Sequence, residues 1–364
     1  MTDLTLSTLT IGRLVVPETL EAPDAGPFLD FIRIANAACR RDAGHGDLDY
    51  EPHEALVSWQ DQEDWGHSGF VALRDGVAVG VAKVSYQKEE DAQTIEFELW
   101  VDPDRWGEGI EEALLAAVED EARALDRRTI QIFTLHRPEH DGPPLVPSTG
   151  WGSVPAEDRQ TVFQVDNGFT LEQVERTSAF DLHGSFADVE RLLAEALAKA
   201  GPDYRPLLWT SPTPEERREG LAYVMSRMST DTPQGGLVVD EQKWDADRVR
   251  RRDARLQAQR YTVSLACVEH VPSGRIAAYN EIAIQADRTA ATLQWGTLVL
   301  KEHRGHRLGT IVKCANLLRW RELVPESPRV TTFNAEENRH MLGINEALGF
   351  APVSYAGAWK KVLD

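Results

Sequence analysis

Two stretches roughly 200 residues apart follow the same plan, and this repeat limits the folds open to the chain more than composition does. Trp106-Gly107 answers Arg304-Gly305, and Gly168-Phe169 answers Gly349-Phe350 at a slightly smaller offset. Around both pairs a hairpin leads to a strand, a glycine-bearing turn, a helix and a further strand. A period this long points to duplicated domains and not to a solenoid of short units. The length of 364 residues accommodates two domains of ordinary size.

Periodicity and turn residues place the elements. In the first half they predict a strand over Leu6–Val16, a helix over Phe28–Arg41, and a hairpin over Phe70–Ser85 with Asp75-Gly76 at its turn. A strand over Thr94–Val101, a helix over Gly109–Leu125 and a strand over Thr129–Leu135 follow. The Pro/Gly-rich stretch 138–155 reads as loop, Gln160–Val165 as a short helix and Val174–Leu182 as a closing strand. A helix over Ala187–Ala200 stops at Gly201-Pro202. The second half repeats the plan, with strands over Arg205–Thr210, Tyr261–Glu269, Arg275–Ile284, Thr292–Leu300, Arg329–Phe333 and Pro352–Val362. Its helices start near Thr213-Pro214 and span Asp245–Arg260, Leu308–Leu323 and Glu337–Leu348; the charge run in Asp245–Arg260 reads as a solvated face. The expected class is α/β (an α+β mixed sheet) in two domains, 1–183 and 204–364, joined by a helical linker, 184–203.

Charge narrows the partners. Thirty-nine basic against 59 acidic residues leave a formal charge of −20, which disfavours nucleic acid and anionic membrane. No run approaches the ~20 apolar residues that span a bilayer, and the start lacks a basic region followed by an apolar one. Cys39, Cys267 and Cys314 are odd in number and far apart, which suits a reducing compartment. A cytoplasmic monomer or homodimer without a metal is expected, since no His/Cys cluster has zinc spacing.

The most informative string is Thr297–Lys313, TLVLKEHRGHRLGTIVK. An apolar strand runs straight into Arg304-Gly305-His306-Arg307-Leu308-Gly309 and then into a helix. Amides at a helix start are unpaired and the helix dipole adds partial positive charge there. Gly305 and Gly309 let a phosphate approach the backbone, and Arg304 and Arg307 supply charged donors. The same string also fits an ordinary strand–turn–helix with surface arginines.

This stretch resembles motif A of the GCN5-related N-acetyltransferase (GNAT) superfamily. Thr332–Phe350, TFNAEENRHMLGINEALGF, is similar to that family's next strand and helix with their Gly-Phe ending. The whole chain looks like a tandem GNAT protein, an arrangement also found in mycothiol synthase. The resemblance implies a twisted mixed sheet in each domain, with the fourth and fifth strands splayed around the pantetheine arm of acetyl-CoA. It implies backbone contacts to pantetheine from Leu298, Val299 and Leu300, and a pyrophosphate cradle of Arg304, Gly305, His306, Arg307, Leu308 and Gly309. It also implies an arm contact from Asn338. Two departures stand out: Arg307 where glycine is common, and Asn345 where a tyrosine often protonates the departing thiolate. Tyr355 is a weaker donor, or an ordinary strand tyrosine.

In the first copy the equivalent turn, Arg105–Glu112, puts Glu108, Glu111 and Glu112 where a pyrophosphate would sit, and like charges repel. Glu157 aligns with Asn338. This copy is read as a poor coenzyme site, and Glu96 and Glu98 as surface or interface carboxylates. In the second copy an ammonium acceptor must lose a proton to become a nucleophile. Gln294 aligns with the base position and cannot take it. Glu281, on the preceding strand opposite about Gly296, can, or else serves as a structural ion pair. Asn345 is the expected aid to the leaving thiolate, and an amide near Val299 or Leu300 the oxyanion donor. His303 and His306 read as surface or phosphate contacts. Trp209, Trp244 and Trp295 line an acceptor pocket or pack the core. The expected activity is acetyl-CoA-dependent N-acetylation of a small-molecule primary amine; the alternatives are acetylation of a cysteinyl amine, as by mycothiol synthase, and a non-catalytic acyl-CoA sensor.

Overall fold

The computed structural model describes residues 8–89, 91–139 and 142–364. The chain divides into two compact units. The first comprises Met1–Leu145, Val154–Glu172 and Gly357–Asp364; the second comprises Val146–Ser153 and Gln173–Ala356. Against the expected bounds of 183 and 204, the units therefore exchange short segments, and the expected linker helix lies inside the second unit.

The first unit contains β1 (Leu9–Arg13), α1 (Gly26–Ala43), α2 (Pro52–Gln60), β2 (Trp65–Arg74), β3 (Val77–Gln87), β4 (Thr94–Val101), α3 (Ile110–Ala124) and β5 (Thr129–His136). The two-residue strands β6 (Pro144–Leu145) and β7 (Val154–Pro155) interrupt the expected loop, and α4 (Arg159–Asp166) follows. Of the strand expected over Leu6–Val16, Leu6 and Ser7 lie outside the described residues. The sheet order is β1-β2-β3-β4-β5, antiparallel except for the parallel β4–β5 pair. Asp75 and Gly76, both at positive φ (51° and 81°), make the tight turn between β2 and β3. Phe31 anchors the core, meeting Trp59 at 5.3 Å and Trp100 at 5.7 Å edge-to-face. The chain's last residues join this unit: Trp359 Nε1 donates to Thr134 Oγ1 on β5 at 2.9 Å.

The second unit takes most of β8 (Thr170–Asp181), then α5 (Ala187–Ala200), β9 (Tyr204–Thr210), α6 (Glu215–Ser226), α7 (Met228–Asp231) and α8 (Ala246–Ala258). It continues with β10 (Thr262–His270), β11 (Arg275–Ile284), β12 (Thr292–Val299), α9 (Leu308–Leu323), β13 (Arg329–Ala335), α10 (Arg339–Leu348) and the first half of β14 (Ala351–Val362). Its sheet order is β8-β13-β12-β11-β10-β9, antiparallel except for β12–β13. Each unit is thus a mixed sheet flanked by helices, with the same parallel pair in the same place.

The expectation for Asp245–Arg260 needs correction. Asp245 caps α8 by accepting from the Arg248 N–H at 2.7 Å, but the charge run is not simply a solvated face. Arg248, Arg252 and Asp253 are buried. Asp253 accepts from Ser211 Oγ and from the Thr213 N–H, both at 2.8 Å, so the charges that face inward are satisfied there. Among the described residues no helix is long and apolar enough to cross a membrane.

Candidate active site

The site in the second unit starts with a strand pair that comes apart. β12 and β13 pair only at Thr292↔Val330, Leu293↔Thr331 and Gln294↔Thr332. Beyond that rung β12 stays on β11 as far as Val299, so a gap opens toward β13. The first unit has the same gap, since β4 and β5 pair only from Thr94↔Thr129 to Glu96↔Gln131.

Backbone directions alternate along an antiparallel strand, which decides who faces the gap. The Leu300 N–H donates to the Ala277 carbonyl at 3.0 Å, and its C=O accepts from the His303 N–H at 2.9 Å. Leu298, two residues back, likewise faces β11, opposite Tyr279. Of the three residues expected to meet pantetheine, Val299 turns its amide toward the gap. The expectation that the Leu300 amide serves a ligand or an oxyanion is therefore corrected.

After Leu300 the chain makes a 3-10 turn, Lys301–His303, and enters α9. Gly305 sits at φ 87°, where only glycine is unstrained, and a Cβ there would meet nothing within 4 Å. Arg307 is the N-cap residue and takes the left-handed conformation at φ 57° without a side-chain cap. Among the described residues, the amides from Gly305 to Gly309 have no backbone or side-chain acceptor. Arg304 reaches only carbonyls, Val299 at 3.4 Å and Asp231 at 3.3 Å, and Arg307 meets Glu195 at 3.3 Å; both guanidinium groups are exposed. A row of unpaired amides at a helix start beside two exposed guanidinium groups suits a diphosphate. Lys301 is less available, because it pairs with Asp231 at 3.2 Å. Tyr204 packs under the turn, its OH 3.1 Å from His303 Nδ1 and its ring 4.9 Å from that of His306. Burial and the nearby His270 push the His303 imidazole below its usual range. His303 and His306 thus support the loop from behind.

Asn338 caps α10, its side chain accepting from the Met341 N–H at 3.3 Å, so one side of its amide is already engaged. Asn345 is buried; its Nδ2 donates to Asn334 Oδ1 at 2.7 Å and its own Oδ1 has no partner. Tyr355 is half-buried on β14.

Glu281 lies at the bulge between the Asn280 and Ile282 rungs of β11. Both its oxygens accept from Arg252, at 2.8 and 3.1 Å, and both side chains are buried. Arg252 also stacks over the Trp295 ring at 5.6 Å, and Trp295 meets Tyr261 at 5.3 Å. This is an ion pair whose loss on one side strands a buried charge, at a cost of about 3–5 kcal/mol. Trp209 is buried in the core, and Trp244 donates to Gln242 at 3.1 Å.

The turn of the first unit has the same backbone and the opposite chemistry. Gly107 and Gly109 sit at φ 86° and 80°, matching Gly305 and Arg307. Here Glu111 folds back: its Oε1 accepts from the Gly107 N–H at 2.6 Å, and the side chain is buried. Glu108 pairs with Arg74 at 2.7 Å. Trp106, in the place of Arg304, packs on Phe163 of α4 and lies under the Arg159 guanidinium at 4.4 Å. The amide cradle is filled by the protein's own carboxylate. Glu98 accepts from the Tyr50 hydroxyl at 3.0 Å and pairs with Lys83 at 3.5 Å.

One residue escaped the sequence reading. Lys313 of α9 is fully buried, and its Nζ has no hydrogen-bond partner among the described residues. The signal was a lysine between the apolar pairs Ile311-Val312 and Cys314-Ala315 of this helix. Among the described residues no group of three or more His, Cys, Asp or Glu side chains is placed to hold a metal ion.

Comparison with known proteins follows the same lines. The profile of the acetyltransferase (GNAT) family matches residues 31–140. No curated protein sequence is significantly similar. Among solved structures, a tandem GNAT protein from the clavulanic acid biosynthesis pathway superposes with a TM-score of 0.73 at 21% identity, covering 98% of each chain. A GCN5-related N-acetyltransferase from Sphaerobacter thermophilus superposes with a TM-score of 0.62 at 14% identity, covering 97% of this chain and 95% of that one. Residues 31–140 thus match the GNAT acetyltransferase family, and the chain as a whole has the tandem GNAT fold.

Proposed function

We propose that the protein is an acetyl-CoA-dependent N-acetyltransferase that acts on a primary amine of a small molecule, with its working site in the second unit. The observation that carries this reading is the difference between the two turns. One offers unpaired amides from Gly305 to Gly309 beside Arg304 and Arg307; the other has its amide taken by Glu111. A coenzyme pyrophosphate fits the first and is repelled by the second.

Bound acetyl-CoA would supply the thioester whose acetyl group the amine takes. The chain's own part is to hold the carrier along Val299, to anchor its phosphates at the α9 start, and to remove a proton from the acceptor ammonium. Glu281 is the proposed proton acceptor, directly or through water, with Arg252 orienting its carboxylate. The Val299 amide is the proposed oxyanion donor. Holding both reactants in near-attack geometry is worth roughly 7–11 kcal/mol in such reactions.

Calorimetric titration with coenzyme A and turnover with an amine panel test the reading together. Arg304→Ala is expected to weaken coenzyme binding about tenfold or more, as the loss of a charge-assisted hydrogen bond does. Glu281→Gln is expected to leave binding intact and to slow turnover about a hundredfold or more. Absence of coenzyme binding by the wild type overturns the proposal. A second reading, an acyl-CoA sensor without turnover, is favoured by the engagement of both Glu281 oxygens by Arg252; saturable binding with no product across the panel would select it.

A further inference from the structure

Lys313 occupies a defined place in the second unit. Gly309, Lys313, Asn316 and Trp320 form one stripe along α9. A Cβ on Gly309 would meet Val299 of β12 at 3.5 Å and Ile344 of α10 at 3.4 Å. Asn316 Nδ2 donates to Asn280 Oδ1 of β11 at 2.8 Å, and Trp320 Nε1 to Thr292 Oγ1 of β12 at 2.9 Å. The stripe therefore faces the sheet, and Lys313 lies between the levels of Val299 and Thr292, where β12 leaves β13. Long helical side chains lean back toward the helix N-terminus, which here is the end bearing the unpaired amides. The Lys313 Nζ lies 5.6 Å from the Phe350 ring centroid, so the amine is on the α10 side of the stripe.

Two further buried atoms on this face also lack partners. Gln294 shares the face of Thr292, two residues away. Its Nε2 donates to Thr332 Oγ1 at 2.9 Å, while its Oε1 has no hydrogen-bond partner among the described residues. Asn345 uses its Nδ2 on Asn334, two residues past Thr332, and leaves Oδ1 unpaired. One donor and two acceptors are thus buried and unmatched around the splay. Buried unpaired groups are rare in folded proteins and mark places completed by a ligand or water. Burial pushes the Lys313 amine down to about 7, with the adjacent Cys314 pulling weakly the other way.

We propose that Lys313 is the proton donor to the sulfur of coenzyme A in this site, the part that Asn345, having no proton to give, leaves open. The proposal rests on the reading of the second unit as the acyl-CoA site. As the acetyl carbon bonds to the acceptor nitrogen and the carbon–sulfur bond breaks, the electron pair stays on sulfur. The Lys313 ammonium gives its proton to that sulfur and becomes a neutral amine. The proton released by the acceptor nitrogen restores the ammonium by way of water. The net change is thioester plus amine to amide plus thiol.

The test uses the wild type with acetyl-CoA and no acceptor at about pH 8 to 9, where Lys313, with a value of about 7, is a neutral amine, and reads the acetylated positions by peptide mass spectrometry. An amine beside the thioester is expected to take the acetyl group, so Lys313 is expected to gain it. In Lys313→Met, which replaces the amine by an apolar chain of similar length, coenzyme is expected still to bind in calorimetry, while turnover with an acceptor falls about a hundredfold and loses its decline above pH about 7. A wild-type Lys313 that stays unacetylated overturns the proposal, and this measurement needs no variant. Equal rates and pH profiles in wild type and Lys313→Met also overturn it, and both results leave the coenzyme site standing. Failure of coenzyme A to bind the wild type at all strikes the proposed function instead.

Discussion

Lys313 is also an energetic liability that can be measured. A lysine in the unfolded chain keeps its proton up to a pH of about 10.4, whereas burial in the folded protein lowers that value to about 7. Between these values the unfolded state binds one more proton, so stability rises with pH across the window and falls as pH drops toward 7. Wild type minus Lys313→Met in urea melts is expected to show a slope of about 1.4 kcal/mol per pH unit between pH 8 and 10. Identical pH profiles for the two proteins would show that the amine keeps its proton when buried. Glu281 presents the contrary case. Its residue type and strand were legible in the sequence as a proton acceptor or an ion pair, but its partner was not, because Arg252 lies 29 positions earlier, on another element. Only the packing of α8 on the sheet brings them together.

At the level of the element, the turn into α9 shows how one backbone shape can host different residues. Both α3 and α9 start from a left-handed residue, Gly109 in the first unit and Arg307 in the second. Left-handed geometry costs a residue with a side chain about 1–2 kcal/mol and costs glycine almost nothing. Arg307→Gly is therefore expected to raise stability by up to about 1 kcal/mol in urea melts, the exposed Glu195 contact contributing little, and to weaken coenzyme binding. Equal or tighter binding by that variant would show that Arg307 does not reach the phosphates. The strand–turn–helix itself was readable, since an apolar strand, glycines and an apolar helical period stand in sequence. Its conformation at Arg307 was not, because residue type argues against the left-handed region that neighbouring contacts impose.

For the whole molecule, the duplication leaves two similar frames with unequal contents. The expectation is one coenzyme A bound per chain in calorimetry, with Arg304→Ala removing most of that signal. Glu111→Ala is expected to lower stability by about 1 kcal/mol, because it removes the acceptor of the Gly107 amide and takes a carboxylate from a helix start. A stoichiometry of two in the wild type would show that the Glu111 carboxylate yields to phosphate. The family profile matches the first copy, residues 31–140, while the unpaired cradle lies in the second. Family likeness therefore tracks the frame, and the contents of the turn set its chemistry.

What the amino-acid order determined by itself was everything carried by local pattern: two copies of one plan, the strand–turn–helix in each, the acidic contents of the first turn and the arginines of the second. Those features depend on neighbours within a few positions, where periodicity, turn chemistry and charge act directly. Tertiary structure decided what depends on distant partners. It exchanged short segments between the units, turned Val299 and not Leu300 toward the gap, closed Glu281 onto Arg252, folded Glu111 onto Gly107, and left Lys313 without a partner under the splay. The physical reason is that burial and hydrogen-bond satisfaction belong to the packed chain, where each group's partners are set by elements far away in sequence.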